Sequence, residues 1–371
     1  MTAMSPHKIA TTPDQTSGDP ELAPACMLRR AVNNLCSSQR STNASPRAHP
    51  RLPPPSKERL EASVTETPLD VGSLSCSDLS AAEEKGKTVL YLAYGSNLCN
   101  ETFRENRGIR PLSQVNVLVP SLKLTFDLPG IPYHEPCFAN SALRNPDEGE
   151  GELNKDEYHK DRWHKGMVGC VYEVTPTDYA HIIATEGGGA SYQDILVPCY
   201  PLSDADTVPK TPSSTPFKAH TLFAPVATST RVSRPDPSYA QPSARYMKLI
   251  TDGASELGLP REYQIYLNDI RSYTITSTRQ ALGQKLVQGV WWPIIMAVFA
   301  LSGRLQDKDG KAPKWVGTLM GWLFLGMWTS YDGVWKGVFG DGERTEGDEE
   351  DEEARLAWTT GRNEKGVMER E

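Results

Sequence analysis

The chain has 371 residues, 38% of them hydrophobic, and a formal net charge of −8 at pH 7. This negative charge argues against nucleic-acid binding, because proteins of that class hold phosphates through clustered lysine and arginine side chains. The seven cysteines are odd in number and contain no CxxC pair, so we expect neither a disulfide framework nor a metal site. Reduced thiols are typical of cytosolic proteins, and no apolar run of signal-peptide length stands near Met1, which disfavours secretion.

Residues 1–86 are predicted to form a disordered tail. They are rich in proline, serine, threonine and arginine. The stretch PRAHPRLPPP at residues 46–55 holds no regular hydrogen-bonded element, because proline lacks the backbone N–H. We therefore expect order to begin near Thr88.

An α/β (α+β) domain is predicted over residues 87–275. It opens with the run TVLYLAYGSNL, a strand that ends in a tight Gly-Ser-Asn loop, and a short helix then stops at Gly108. Further strands are predicted at residues 113–119, 122–126, 166–174 and 193–200, and helices at 177–184, 243–257 and 262–270. These lengths suit a small mixed β-sheet. Two polar insertions, at about 145–165 and 202–218, are predicted to be surface loops.

Two uncharged stretches, residues 286–303 and 315–331, predict a pair of apolar helices within residues 285–336. Their tryptophans gather near the segment ends, as in the aromatic belt of a membrane protein. Two interpretations stay open: a membrane hairpin, which either spans the bilayer or lies in its cytosolic leaflet, and a pair of helices packed on the preceding domain. The acidic residues 341–371 are predicted to be disordered.

The loop after the first strand is a candidate binding site. Its backbone N–H groups lie where a strand gives way to a helix, so they are available to an anion or a developing oxyanion, and glycine permits a close approach. An ordinary turn is the alternative for such a sequence. The candidate residues are Tyr94, Gly95, Ser96, Asn97 and Leu98.

A second candidate is Glu186, which ends an apolar helical stretch and is followed at once by three glycines. Three glycines cost backbone entropy, which indicates that something approaches the chain closely there. A carboxylate at a helix C-terminus is also unfavourable beside the negative end of the helix dipole. Glu186 is thus a candidate acid/base, and a surface glutamate is the alternative.

Together the YGSN loop and Glu186 in ATEGG resemble the signature of the γ-glutamylcyclotransferase family. The FAN sequence at residues 138–140 and the strand GMVGCVYEV at residues 166–174 look like further landmarks, the former of a fungal secondary-metabolism branch. The resemblance covers residues 88–200 and extends more weakly to Ile270. It implies the family's small mixed sheet or barrel. It also implies a lyase that closes γ-glutamyl groups into 5-oxoproline, releases an amine or amino acid, and needs no cofactor.

The resemblance implies a role for each candidate residue. Glu186 takes a proton from the substrate α-amine and passes it to the leaving nitrogen. The loop backbone at Gly95, Ser96 and Asn97 holds either the oxyanion or the substrate carboxylate, and that choice stays open. Tyr192 either lends its hydroxyl to the substrate or is a core tyrosine.

The substrate remains a small γ-glutamyl compound of unspecified identity. Asn97 stands where glutathione-degrading relatives have leucine, which favours γ-glutamyl amines and amino acids over glutathione. Two alternatives stay open: a non-catalytic ligand-binding module of the same fold, and a γ-glutamyl-removing enzyme of one secondary-metabolic pathway. In each case we expect a cytoplasmic catalytic domain, with membrane association through residues 286–303 and 315–331 as the open question.

Overall fold

The computed structural model describes residues 50–69, 81–144, 160, 162–185, 193–223, 234–236, 239–305 and 313–347. Within these residues the chain forms a closed β-barrel, a separate β-hairpin, helices around the barrel, and a C-terminal pair of helices. The predicted α/β class with a small mixed sheet or barrel is thereby confirmed. The limits predicted for the catalytic domain, residues 87–275, stay a prediction.

Along the chain the described strands belong first to the barrel, then to the hairpin and then to the barrel again. They are β1 (Val89–Ala93), β2 (Ser113–Val119), β3 (Leu122–Ile131), β4 (Glu135–Leu143), β5 (Met167–Val174), β6 (Gln193–Pro201) and β7 (Phe217–Phe223). The barrel has the order β1-β5-β2-β6-β7. It closes through a parallel contact between β1 and β7, whereas its other neighbours are antiparallel. β3 and β4 pair only with each other, as an antiparallel hairpin.

The strands predicted from apolar runs form the barrel core. Every residue of β1 is buried, and β5 is buried except for Glu173, as expected for apolar, β-branched and aromatic side chains packed on both faces of a strand. Phe103, from the short helix after the YGSN loop, stacks on Tyr172 of β5 at 4.6 Å and on Tyr91 of β1 at 6.1 Å between ring centres. The short helix therefore belongs to the core of the barrel.

Sequence reasoning missed β4 and β7 and ended β3 too early. The hairpin sequence of β4 mixes proline, asparagine and serine with apolar residues, so it lacks the alternation that predicts a strand. The strand β7 begins at Phe217, inside the stretch that was predicted to be a surface loop. Tertiary pairing, rather than local preference, makes both segments into strands.

The helices surround the barrel and extend beyond it. They are α1 (Lys57–Ser63), α2 (Pro176–Thr185), α3 (Ala244–Glu256), α4 (Arg261–Asp269), α5 (Thr278–Arg304), α6 (Lys314–Ser330) and α7 (Lys336–Phe339). Helix α3 packs directly on the YGSN loop, since a Cβ added at Gly253 would lie 2.4 Å from the backbone nitrogen of Cys99. Glycine at this position thus lets α3 approach the loop.

The prediction of a disordered tail over residues 1–86 is wrong for residues 50–69. Ser56 caps α1, and Ser63, at its end, is fully buried and accepts the backbone N–H of Lys218 at 3.0 Å. Arg59 donates to the hydroxyl of Thr88 at 2.7 Å. These side-chain contacts with the barrel outweigh the low helix preference of the proline-rich sequence before α1.

Two further boundaries are corrected. Lys160 lies in the predicted surface loop 145–165, yet it is buried and its amine donates to the carbonyls of Phe126 and Ala240. The predicted acidic tail begins with residues 341–347, which are described and bound to the rest of the fold. In particular, Glu343 is buried beside Arg234, whose guanidinium donates to it at 2.7 Å. Pairing with arginine is what allows this acidic residue inside the protein.

The C-terminal helices pack on the tip of the β3–β4 hairpin. Tyr133 at this tip has a positive φ of 62° and is fully buried in a second apolar cluster with Val287, Met327 and Trp328. Its hydroxyl lies 2.8 Å from the carbonyl oxygen of Gly340. The predicted pair of apolar helices therefore exists and is attached to the preceding domain by one face.

Among the described residues, one helix is long and apolar enough to cross a membrane, Thr278–Ser302. Only 17% of its most apolar window is buried. Large apolar side chains remain exposed along both helices, among them Leu282, Leu286, Val290 and Ile294 of α5 and Trp315, Leu319, Trp322 and Leu325 of α6.

Candidate active site

The YGSN sequence forms a sharp turn directly after β1. Gly95 precedes a single helical turn, Ser96–Leu98, in which the N–H of Leu98 donates to the carbonyl of Gly95 at 3.0 Å. Asn97 is buried, and its side-chain amide donates to the hydroxyl of Tyr91 at 2.7 Å. The turn is thus anchored from within the barrel, by the strand that precedes it.

A small cavity opens beside this turn. It encloses about 40 Å³, room for roughly three water-sized groups, which suits one carboxylate or carbonyl group of a ligand rather than a whole ligand. Its walls come from β1, the turn, β4, β7 and α3. The lining residues are Tyr91, Tyr94, Gly95, Ser96, Asn97, Ala139, Thr221, Leu222 and Tyr246.

Gly95 lies close to two other walls of the cavity, those formed by β4 and α3. A Cβ added there would lie 3.4 Å from the Cβ of Ala139 and 3.4 Å from the hydroxyl oxygen of Tyr246. That hydroxyl also accepts the backbone N–H of Ala139 at 3.2 Å. A larger side chain at Gly95 would therefore fill the space between the turn, β4 and α3.

The structure brings together four of the seven predicted site residues. Tyr94, Gly95, Ser96 and Asn97 line the cavity, whereas Leu98 is fully buried in the core and supports the turn from behind. The remaining two, Glu186 and Tyr192, lie outside the described residues. Their roles stay predictions.

Sequence reasoning missed the cavity residues that come from distant elements. Ala139 belongs to the FAN landmark, but no pattern placed it opposite the YGSN loop. Tyr246 lies on α3 and Thr221 on β7, and neither carries a local signal, because only the folded chain brings them to the loop.

The described cysteines are buried, free thiols: Cys99, Cys137, Cys170 and Cys199. Burial raises the pKa of Cys137 to about 12 and that of Cys170 to about 12. Because the thiolate is the reactive form, these two side chains are inert packing residues near neutral pH. Within the described part of the chain, no three His, Cys, Asp or Glu side chains are grouped so that they could hold a metal ion.

Comparison with known proteins extends the sequence resemblance. Residues 277–338 match the family model described as the AclK C-terminal domain. The gamma-glutamyl cyclotransferase aclK of Aspergillus oryzae is 31% identical over 266 residues, 70% of this chain and 92% of that protein. The gamma-glutamyl cyclotransferase gliK of Aspergillus fumigatus is 32% identical over 265 residues, 71% of this chain and 92% of that protein.

A solved structure named gamma-glutamyl cyclotransferase is 22% identical and superposes with a TM-score of 0.36 over 52% of this chain and 93% of its own. The family assignment therefore depends on the sequence relatives. Two fungal relatives above 30% identity are matched over 92% of their own length. The chain belongs to the gamma-glutamyl cyclotransferase family of enzymes.

Proposed function

We propose that this enzyme cyclises the γ-glutamyl group of a small amide to 5-oxoproline and releases an amine or amino acid, and that the YGSN cavity holds the reacting end of the substrate. The observation that carries the proposal is the cavity itself. The loop on which the resemblance rests, including its own Tyr94, forms one wall, and Tyr91 of β1 and Tyr246 of α3 line the rest.

The reaction needs no group beyond the substrate and a proton carrier. The substrate α-amine attacks the γ-carbonyl carbon, a new C–N bond closes the five-membered ring, and the bond to the departing nitrogen breaks. Glu186 takes the proton from the α-amine and returns it to the leaving nitrogen. The ring closure is intramolecular, so positioning supplies much of the rate.

The cavity is suited to bind a negatively charged oxygen of the substrate. Tyr94, Tyr246 and the residues of the turn line a space that fits one carbonyl or carboxylate group. Donors fixed around a developing oxyanion stabilise it more than water does, because they are already oriented.

The test is a 5-oxoproline assay of the full-length chain with γ-glutamyl amines, γ-glutamyl amino acids and glutathione. A fragment that begins near residue 80 would remove α1, which contacts the barrel. Glu186→Gln is expected to lower kcat by about 10²-fold or more, because only proton transfer is lost. A Gln variant with near-normal turnover removes Glu186 from the mechanism; ligand binding without turnover by the wild type favours the non-catalytic module.

We also propose that the exposed faces of α5 and α6 attach this cytoplasmic enzyme to a membrane. A helix that serves only as a core helix is mostly buried, whereas α5 is not. Along α5 the exposed residues Leu282, Leu286, Val290 and Ile294 recur every fourth position, so they lie on one face. Exposed apolar surface of this extent is typical of a membrane or protein contact.

Vesicle flotation of the full-length chain tests this attachment. Replacing Leu286, Val290 and Trp322 together by Gln is expected to shift the protein from the floating to the soluble fraction. The matched control is Ile265→Gln, since Ile265 is as exposed as these residues but lies on α4, away from the helix pair. Wild-type protein that stays soluble with vesicles present contradicts the proposal.

A further inference from the structure

A group of buried polar side chains lies beside the cavity and has no role in the mechanism above. Asp194, near the start of β6, has a fully buried side chain. It accepts the hydroxyl of Tyr179 at 2.5 Å, the backbone N–H of Leu69 at 2.6 Å and the Nδ1 of His220 at 2.8 Å. A buried carboxylate with three donors is firmly held, and it holds its donors in turn.

His220 joins this carboxylate to the N-terminal segment. Its Nε2 lies 3.3 Å from Glu66, which is itself paired with Arg59 of α1 at 2.9 Å. Titratable and charged groups lie around His220 on every neighbouring element: Asp194 on β6, Tyr179 on α2, Tyr91 across the contact with β1, and Glu66 and Arg59 from the N-terminal segment. Burial lowers the pKa of His220, but the hydrogen bonds and charges of Asp194 and Glu66 outweigh it and raise the pKa to about 9.

On its other side the group reaches the cavity. The ring of Tyr179 packs against the ring of Tyr91 at 5.9 Å. The hydroxyl of Tyr91 accepts the side-chain amide of Asn97 at 2.7 Å, and both of these residues line the cavity. Contacts therefore run without a break from Asp194 to the YGSN turn.

We propose that Asp194 is a positioning residue for the active site: it fixes Tyr179 against Tyr91, and thereby the side chain of Asn97 in the cavity wall. The His220 side chain and the segment before β1 hold Asp194 in place. This inference rests on the proposed function of the cavity. It also gives residues 56–69, which the family resemblance does not cover, a part in activity.

The first test is steady-state kinetics of full-length Asp194→Asn and Tyr179→Phe. We expect kcat to fall by about tenfold or more in each, because small displacements of positioning groups are costly, while KM stays within about twofold and unfolding stays cooperative. Folded Asp194→Asn with wild-type kcat overturns the proposal. A wild-type chain that forms no 5-oxoproline instead defeats the proposed function.

A pH profile gives a readout that a merely structural role would not move. Below its raised pKa His220 is charged and donates to both Asp194 and Glu66; as pH rises through about 9 the neutral ring keeps one N–H, so one of these two hydrogen bonds is lost. Glu66→Gln removes one carboxylate partner and lowers the pKa of His220, so the alkaline limb of kcat is expected to move to lower pH. If the alkaline limbs of the kcat profiles of wild type and Glu66→Gln superpose, the proposal is overturned.

The matched control is Glu262→Gln. Glu262 is also a partly exposed carboxylate that pairs with a base, Lys165, and accepts a backbone N–H, that of Val208 at 2.8 Å. Glu262 has no contact with His220, so Glu262→Gln is expected to leave the alkaline limb of the kcat profile unchanged.

A last readout needs no turnover. The NMR resonance of the Asn97 side-chain amide is expected to shift in Asp194→Asn and to stay in Glu262→Gln. An unchanged Asn97 resonance in folded Asp194→Asn overturns the proposal whatever the activity.

Discussion

The barrel and the C-terminal helix pair are both rich in apolar residues, but the barrel buries these side chains and the helix pair leaves many of them exposed. In the barrel the apolar side chains of β1 and β5 face neighbours on both sides and are shielded from water. In the helix pair only one face is covered, and Trp322 is 67% exposed. A hydrophobic stretch of sequence therefore marks either a buried core or an exposed apolar surface, and the burial pattern of the folded chain distinguishes the two.

The largest expected effect contrasts one aromatic side chain from each region. Phe103→Ala empties the stack between Tyr91 and Tyr172 and is expected to lower the free energy of unfolding by about 3–5 kcal/mol. Trp322→Ala removes an exposed side chain and is expected to change it by less than about 0.5 kcal/mol in water. Chemical denaturation of both variants measures the difference; equal losses would mean that α6 is a core helix.

A smaller expected effect separates catalysis from stability at the barrel end. Gly95→Val places a branched side chain between Ala139 and Tyr246, and we expect kcat/KM to fall by about 10²-fold because the cavity is filled. Gly95→Ala, whose Cβ stands at ordinary contact distance, is the control and keeps most of the activity. Vesicle binding by the helix pair is expected to be normal in both variants. If Gly95→Val turns over normally, the YGSN loop is only a turn.

The smallest expected effect concerns the joint between the two regions. Tyr133→Phe removes the hydroxyl that meets the carbonyl of Gly340, and we expect a loss of about 1 kcal/mol in unfolding free energy. Hydrogen exchange of α5 and α7 should rise in this variant, while exchange of β1 and β5 stays low. Uniform exchange changes across both regions would show that barrel and helix pair unfold as one unit.

The sequence predicted the parts of the fold that local pattern decides. The strands β1, β2, β5 and β6 are apolar runs of strand length, and α3 and α4 carry a helical period with one apolar face. The strands β4 and β7 depend on partners far along the chain. So does α1, in which Arg59 and Ser63 bond to residues of the barrel domain; composition alone indicated disorder there.

The candidate site also contains residues that local sequence predicts and residues that only the folded chain brings to it. The YGSN turn was visible because a strand, a glycine and a helical turn are neighbours in sequence. Tyr246 and Thr221 were invisible because they reach the cavity only through the packing of α3 and the pairing of β7. Asp194 and His220 gave no signal either, since a lone aspartate and a lone histidine in strands are read as ordinary residues until their burial is known.

The two ends of the helix pair lie close together, where the chain leaves and rejoins the barrel domain. Ser277 caps α5, and the side chain of Gln280 in its first turn donates to the carbonyl of Asp341 at 2.8 Å. Beyond that point the chain returns to the barrel domain, where the N–H of Thr345 meets Gln241 at 2.9 Å. The two helices thus leave from and come back to one spot, and segments whose ends meet are the kind that proteins gain or exchange without disturbing the host. The residues that match the AclK C-terminal domain, 277–338, begin at the cap of α5 and end just before the chain returns to the barrel domain.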